Sequence, residues 1–207
     1  MSTTQRISYA TVILTLAILV ISTNAFGLRH DSPLSGRQVG VPTSRRSQAN
    51  CARFKTFTSA EFSFRYSSCW ASRVYPDSSS FTELVDVLSN QVTQSPCRTA
   101  KSSTYCGWPL RHLQRSGVLI EWVLGGQLGW KLSDEKGSTL SVGGRPARED
   151  IVHHSCGSIG GDEHVSVYVS RPELDNYLLM TACLRSPDDA VELQRIRAML
   201  ASVSALT

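Results

Sequence analysis

The sequence predicts an α+β fold: a mainly antiparallel β-sheet with a C-terminal helix packed on it, preceded by an N-terminal hydrophobic helix. Three observations carry this. Val165, Val167 and Val169 alternate with Ser166, Tyr168 and Ser170, the period of a half-buried strand. Residues 177–184 return with apolar side chains on both faces, as a central strand does. Leu193, Ile196, Met199, Leu200 and Val203 then fall on one helical face. Between the two strands, Pro172 cannot continue a ladder and Asp175-Asn176 is turn chemistry. Ser186-Pro187-Asp188-Asp189 predicts the helix start, with a hydroxyl N-cap, a proline at the first helical position and acids in the first turn.

A chain of 207 residues fits one domain plus extras. Its 41% hydrophobic and 18% charged content place it among globular rather than disordered chains. The net charge of +4 is mild, and much of it lies in residues 27–55, where six basic residues face one acid, Asp31. Nucleic-acid binding needs a larger clustered excess, so that partner is set aside.

The N-terminus carries a targeting signal. Residues 10–21 are apolar except for Thr11 and Thr15, Arg6 precedes them, and Thr23-Asn24-Ala25 follows with small or polar residues. This is the pattern of a secretory signal cut after Ala25. Twelve residues are short for a span, which needs about 20. Residues 7–26 are nevertheless twenty uncharged positions in a row, so an uncleaved membrane anchor is the alternative. The flanking charges do not decide between them: Arg29, Arg37, Arg45 and Arg46 outnumber Arg6 and by themselves would keep the domain inside. Residues 26–50 are rich in Ser, Gly, Pro and Arg without apolar period, and read as a flexible basic linker. Beside an anchor, such a linker would also meet anionic lipid or wall polymer.

The cysteines decide the side. Cys51, Cys69, Cys97, Cys106, Cys156 and Cys183 all follow the apolar segment, and an even count in an exported chain reads as a disulfide framework. Cys97 and Cys106 enclose a short polar loop. Cys51 and Cys69 bracket one strand. Cys156 and Cys183 remain, and they also fit by topology. If residues 145–153, 164–170 and 177–184 form a meander, the turn at Cys156 and the end of the third strand lie at one end of the sheet.

From Cys51 onward the elements follow in order. Phe62, Phe64 and Tyr66 alternate with polar residues in a strand with one aromatic face. Residues 72–75 continue extended to Pro76. Residues 81–90 fit both periods: Ser80 and Glu83 form a capping box before a helical face, while Phe81, Glu83, Val85 and Val87 suit a strand. Residues 117–124 are apolar on both sides and predict a central strand. Gly125, Gly126 and Gly129 are expected in a loop before Trp130. Residues 139–142 and 145–153 flank Gly143-Gly144 and predict a hairpin.

These pieces together resemble a set of uncharacterised exported bacterial proteins. The matching stretches are SSSFTELVDVLSNQ, SPC then CGWP, GVLIEWV, GWKL, SVGGRPA, a cysteine before SIGGDEHVSV, and ACLRSPDD before a final helix ending MLASV. The resemblance covers residues 64–203, and CGWP and VGGRPA are its most specific parts. It implies a strand over residues 81–90. More loosely, FSFRYSSCW, the late sheet and the closing helix are similar to the PsbP-like α/β/α sandwich, a group made mostly of non-enzymatic binding modules. The likeness supplies no catalytic residues, and a fold by itself does not give a function.

The chemistry-bearing residues each have a plain role beside the functional one. His153, His154, Cys156 and His164 are of ligand type. However, adjacent histidines on a strand point to opposite faces, and a bridged Cys156 cannot ligate, so no metal or other cofactor is expected. A Ser-His-Asp set can be drawn with His154 and Asp162, but no nucleophile elbow is present. The glycines of residues 158–162 and 124–126 lead into strand-like or tryptophan-containing sequence rather than a helix N-terminus, so they read as turns. Trp122 belongs to the core. Trp108, between Gly107 and Pro109, would form a binding surface if exposed; otherwise it packs on the disulfide loop.

The expected organisation is a signal or anchor over residues 1–25, a linker over 26–50 and a disulfide-stabilised domain over 51–207. The expected role is exported or membrane-anchored, non-catalytic binding of an envelope ligand or protein. The alternative is a cell-envelope hydrolase or metal-dependent enzyme.

Overall fold

The computed structural model describes residues 51, 53–75, 82–100, 103–171 and 176–204. Expectations for residues 1–50, for Phe81 and for the turn at 172–175 lie outside them. In chain order the strands are β1 (Phe54–Thr58), β2 (Ser63–Ser67), β3 (Ala71–Arg73), β4 (Thr82–Ser89), β5 (Cys97–Ala100), β6 (Ser103–Cys106), β7 (Val118–Gly126), β8 (Ser138–Val142), β9 (Arg145–His153), β10 (Glu163–Arg171) and β11 (Asn176–Leu184), followed by α1 (Asp189–Ala201). Seven strands form one antiparallel sheet in the order β3-β4-β7-β11-β10-β9-β8, and β1-β2 and β5-β6 are separate hairpins. Among the described residues no helix is long and apolar enough to cross a membrane.

The centre of the sheet lies where the sequence is apolar on both sides. Trp122 opposes Met180, and Ile120 opposes Ala182. Directly opposed side chains share a face, so these four join Val165, Val167, Val169, Leu178 and Leu184 on a first face that is closed to solvent. α1 lies against β2 and β11 and covers that face with Ile196, Met199 and Leu200. The aromatic side of β2 completes the cover: the Phe64 ring stacks 5.1 Å from that of Trp122. Each such large side chain, fully buried, contributes on the order of 1.5–3 kcal/mol. The end of the chain is fastened to β2, since Ser63 and Ser204 exchange both backbone bonds at 3.0 and 2.9 Å.

The second face carries a smaller core of Val87, Leu110, Leu113, Leu119, Ile159 and the Cys156–Cys183 bridge. All three expected disulfides are present: Cys51–Cys69, Cys97–Cys106 and Cys156–Cys183. The strand over residues 82–89 and the 143–144 hairpin also form as expected, with Gly143 at φ 57° and Gly144 at φ 78°, the left-handed pair a two-residue turn requires.

Three expectations are corrected. Cys51 and Cys69 bracket a hairpin rather than one strand. β1 reads FKTFT and is almost wholly exposed, so it shows no clear inward period. Gly125 and Gly126 belong to β7, not to a loop: a Cβ on Gly125 would sit 2.5 Å from the Tyr177 ring, so glycine allows that ring to lie across the strand. The helix begins at Asp189 with Asp188 as N-cap, beyond Ser186 and Pro187. The Ser186 backbone is held to the sheet instead, its N–H donating to Asp162 Oδ2 at 2.9 Å and its carbonyl accepting from Ser116 at 3.2 Å.

Candidate binding cleft

A cleft of about 780 Å3 opens beside β3, at one end of the large sheet. That volume falls within the range of small-molecule sites. Ala71 and Arg73, alternate residues of β3, form one side together with Cys69 in the turn before it. Residues 89–94 form one of the other two walls, and residues 109–112 with Gln114 form the other.

Side-chain bonds hold the first of these walls where a free loop would otherwise be. Ser89 Oγ donates to the Val118 carbonyl at 2.7 Å and accepts from the Gln91 N–H at 3.0 Å. Asn90 spans both sides of the entrance to β7, donating to the Ser116 carbonyl at 2.8 Å and accepting from the Val118 N–H at 3.0 Å. Gln91 Oε1 accepts from the Gln114 N–H at 3.2 Å. Tyr75 and Thr93 share a 2.7 Å hydroxyl bond that ties the exit of β3 to the same wall. The β5-β6 hairpin, bridged at its base by Cys97–Cys106, connects the two walls.

The lining is basic. It contains Arg73, Arg111 and His112 and no Asp or Glu. Arg185 stands behind His112, donating to its Nε2 at 2.6 Å and to the Leu113 carbonyl at 2.5 Å. Cys69 is bridged, the Ser89 and Thr93 hydroxyls are hydrogen-bonded, and His112 Nε2 meets the Arg185 guanidinium. This arrangement can bind and orient an anion.

The residues singled out from sequence are dispersed. Trp108 is half-buried against the second core, and its indole N–H donates to Ser158 Oγ at 3.1 Å. It backs the wall formed by Pro109 and Leu110. His153 pairs with Glu163 at 3.4 Å. His154 sits in the turn at φ 62°, its N–H donating to the Asp162 carbonyl at 2.6 Å. Cys156 is in its bridge, and His164 lies beside Cys183 on the second face. Burial lowers the His164 imidazole below its ordinary value, and Asp150 opposes this. Among the described residues no group of three or more His, Cys, Asp or Glu comes together to hold a metal.

Two acids were not foreseen. β4 shifts register between Leu84 and Asp86, so Asp86 opposes Trp122 and is turned into the first core. Burial pushes its carboxyl up to about 6, against the Ser72 hydroxyl that donates to it at 2.8 Å. The β-bulge hid this position, because unbroken alternation would put Asp86 on the other face. On the second face Glu121, Thr181, Ser166 and Asp150 form a row across β7, β11, β10 and β9. Burial pushes Glu121 up to about 7. Three strand spacings separate Glu121 from Asp150, about 14 Å, too far for the paired carboxylates of a glycosidase at about 5–9.5 Å.

No protein-family model, curated protein or solved structure matches this chain.

Proposed function

We propose that this is an exported, envelope-associated domain that binds a ligand in the cleft beside β3 and carries out no reaction on it. The carrying observation is the cleft's composition: a cavity lined by Arg73, Arg111 and His112 with no carboxylate and no free thiol. The three disulfides fit an oxidising extracellular or envelope location. The apolar segment at residues 7–26 would serve as a signal, or as an anchor from which the basic linker extends the domain. The looser likeness to the PsbP-like sandwich, a group made mostly of non-enzymatic binding modules, leans the same way.

Ala71→Trp tests it. Ala71 is exposed at the cleft, so an indole there fills the cavity without entering the core. The full chain, purified oxidised in mild detergent, should co-sediment with detergent-extracted bacterial envelope particles, which leave no bilayer for residues 7–26 to enter. The variant should lose that binding while keeping its melting temperature. Equal sedimentation of both proteins would remove the cleft from the proposal.

A further inference from the structure

We infer that the cleft takes an acidic polyol, a sugar or glycerol unit bearing a carboxylate or phosphate, with Arg73 and Arg111 holding the oxyanion. This rests on the cleft being the binding site and adds the chemistry of what it holds.

The charges come first. Arg73 reaches the cavity from β3 and Arg111 from the opposite wall, and neither has an acidic partner among the described residues. The remaining lining adds His112 and no negative group, with the Arg185 cation directly behind it. Like charges around one open cavity repel, and an oxyanion supplies the missing countercharge. A guanidinium presents its donors as a planar fork that matches carboxylate and phosphate oxygens in pairs.

The body of the ligand follows from the rest of the lining. Gln94 and Gln114 line the same cavity, and their side-chain amides have no hydrogen-bond partner among the described residues. Each amide can both donate and accept, which is what a hydroxyl requires of its neighbours. The apolar lining is small: Ala71, Pro109, Leu110 and Val92, the last 84% exposed at the rim. That suits the carbon face of a polyol and offers no closed pocket for a large apolar group. The walls are held by the bonds of Ser89, Asn90 and Gln91, so little ordering is left for binding to impose.

The test uses matched probes on the full oxidised chain in mild detergent, followed by amide chemical shifts. Glucuronate is compared with glucose, and glycerol 3-phosphate with glycerol. The charged member of at least one pair should shift the cleft amides saturably, with neither neutral member doing so below about 20 mM, the range where millimolar affinities are read. Which pair responds distinguishes carboxylate from phosphate. Arg73→Gln and Arg111→Gln should each weaken binding about five- to tenfold, as loss of a charge-assisted bond at an exposed site predicts. Lys136→Gln, at the far end of the sheet beside β8, should leave it unchanged. Both arginines are exposed, so unaltered melting curves will show that the variants fold. Equal shifts from charged and neutral members would overturn the anion while leaving the cleft as a binding site. An equal loss in Lys136→Gln would show general charge attraction and overturn it too, as would no shift from any probe. Loss of envelope binding in Ala71→Trp is a separate result and bears on the cleft alone.

Discussion

Gln94 donates its backbone N–H to the Pro109 carbonyl at 2.9 Å, and that bond joins the two walls of the cleft. Next to it Gly107 donates to Pro96 at 3.0 Å, and then comes the Cys97–Cys106 bridge. The cleft is therefore clamped from outside by a short ladder that contributes nothing to either core. Replacing both cysteines by serine should speed hydrogen exchange at the Gln94 and Gly107 amides and leave those of β7 and β11 unchanged. Exchange measured residue by residue checks this; uniform acceleration would mean that the hairpin supports the whole sheet.

The bridge at the other end of the chain has a different role. Cys156 and Cys183 are 27 residues apart and wholly buried, against 9 for Cys97 and Cys106. Loop closure alone makes the longer bridge worth roughly 3–3.5 kcal/mol, about 1 kcal/mol more than the shorter one. Loss of a buried sulfur contact with Leu119 and Ile159 adds to this. Cys183→Ala should therefore lower the urea midpoint more than Cys97→Ala, and the reverse order would contradict the placement of the second core.

Stability should fall as pH rises through the neutral range. Glu121 and Asp86 hold their protons up to about 7 and about 6 in the folded chain, against 4.5 and 3.8 as unperturbed groups. Between those values the folded state binds more protons than the unfolded state, so ionisation works against folding. The stabilisation is fully present below the unperturbed values and is lost as pH rises through about 6 and about 7. Glu121→Gln should gain about 1–2 kcal/mol over wild type at pH 8 relative to pH 5, a value discounted for its partial exposure. Parallel stability curves for the two proteins would contradict it.

Gly125→Ala tests the packing of the second face. The added methyl meets Tyr177, whose ring lies 4.8 Å from Trp130 and 5.4 Å from Tyr168. Displacing that ring should cost about 1–3 kcal/mol. It should also change the near-ultraviolet circular dichroism of the aromatic trio. An unchanged spectrum would show that Tyr177 is not confined there.

What was legible in the sequence is what periodicity and local chemistry encode. Val165, Val167 and Val169 declare an inward face without help from distant residues, and Gly143-Gly144 declares its own turn. The Cys156–Cys183 pairing follows once the meander is drawn. The exposed strand at Phe54 carries no such period, and the register shift before Asp86 cancels the period that β4 does have. The cleft was the least legible part. Arg73 and Arg111 come from separate segments, and the wall between them is shaped by side-chain bonds from Ser89, Asn90 and Gln91, where the sequence shows only a strand running out into polar residues. Trp108 drew attention one residue short of the wall that Pro109 and Leu110 form.

The most direct test of the central claim is a residue-resolved map of the oxidised full chain in contact with a soluble acidic envelope polymer. The predicted result is a set of amide shifts confined to Ala71, Arg73, Gln94, Arg111 and His112, with the polymer recovered at its original length. Shifts centred on Glu121, His164 and Trp130 across the second sheet face, or a polymer shortened during the measurement, would contradict it.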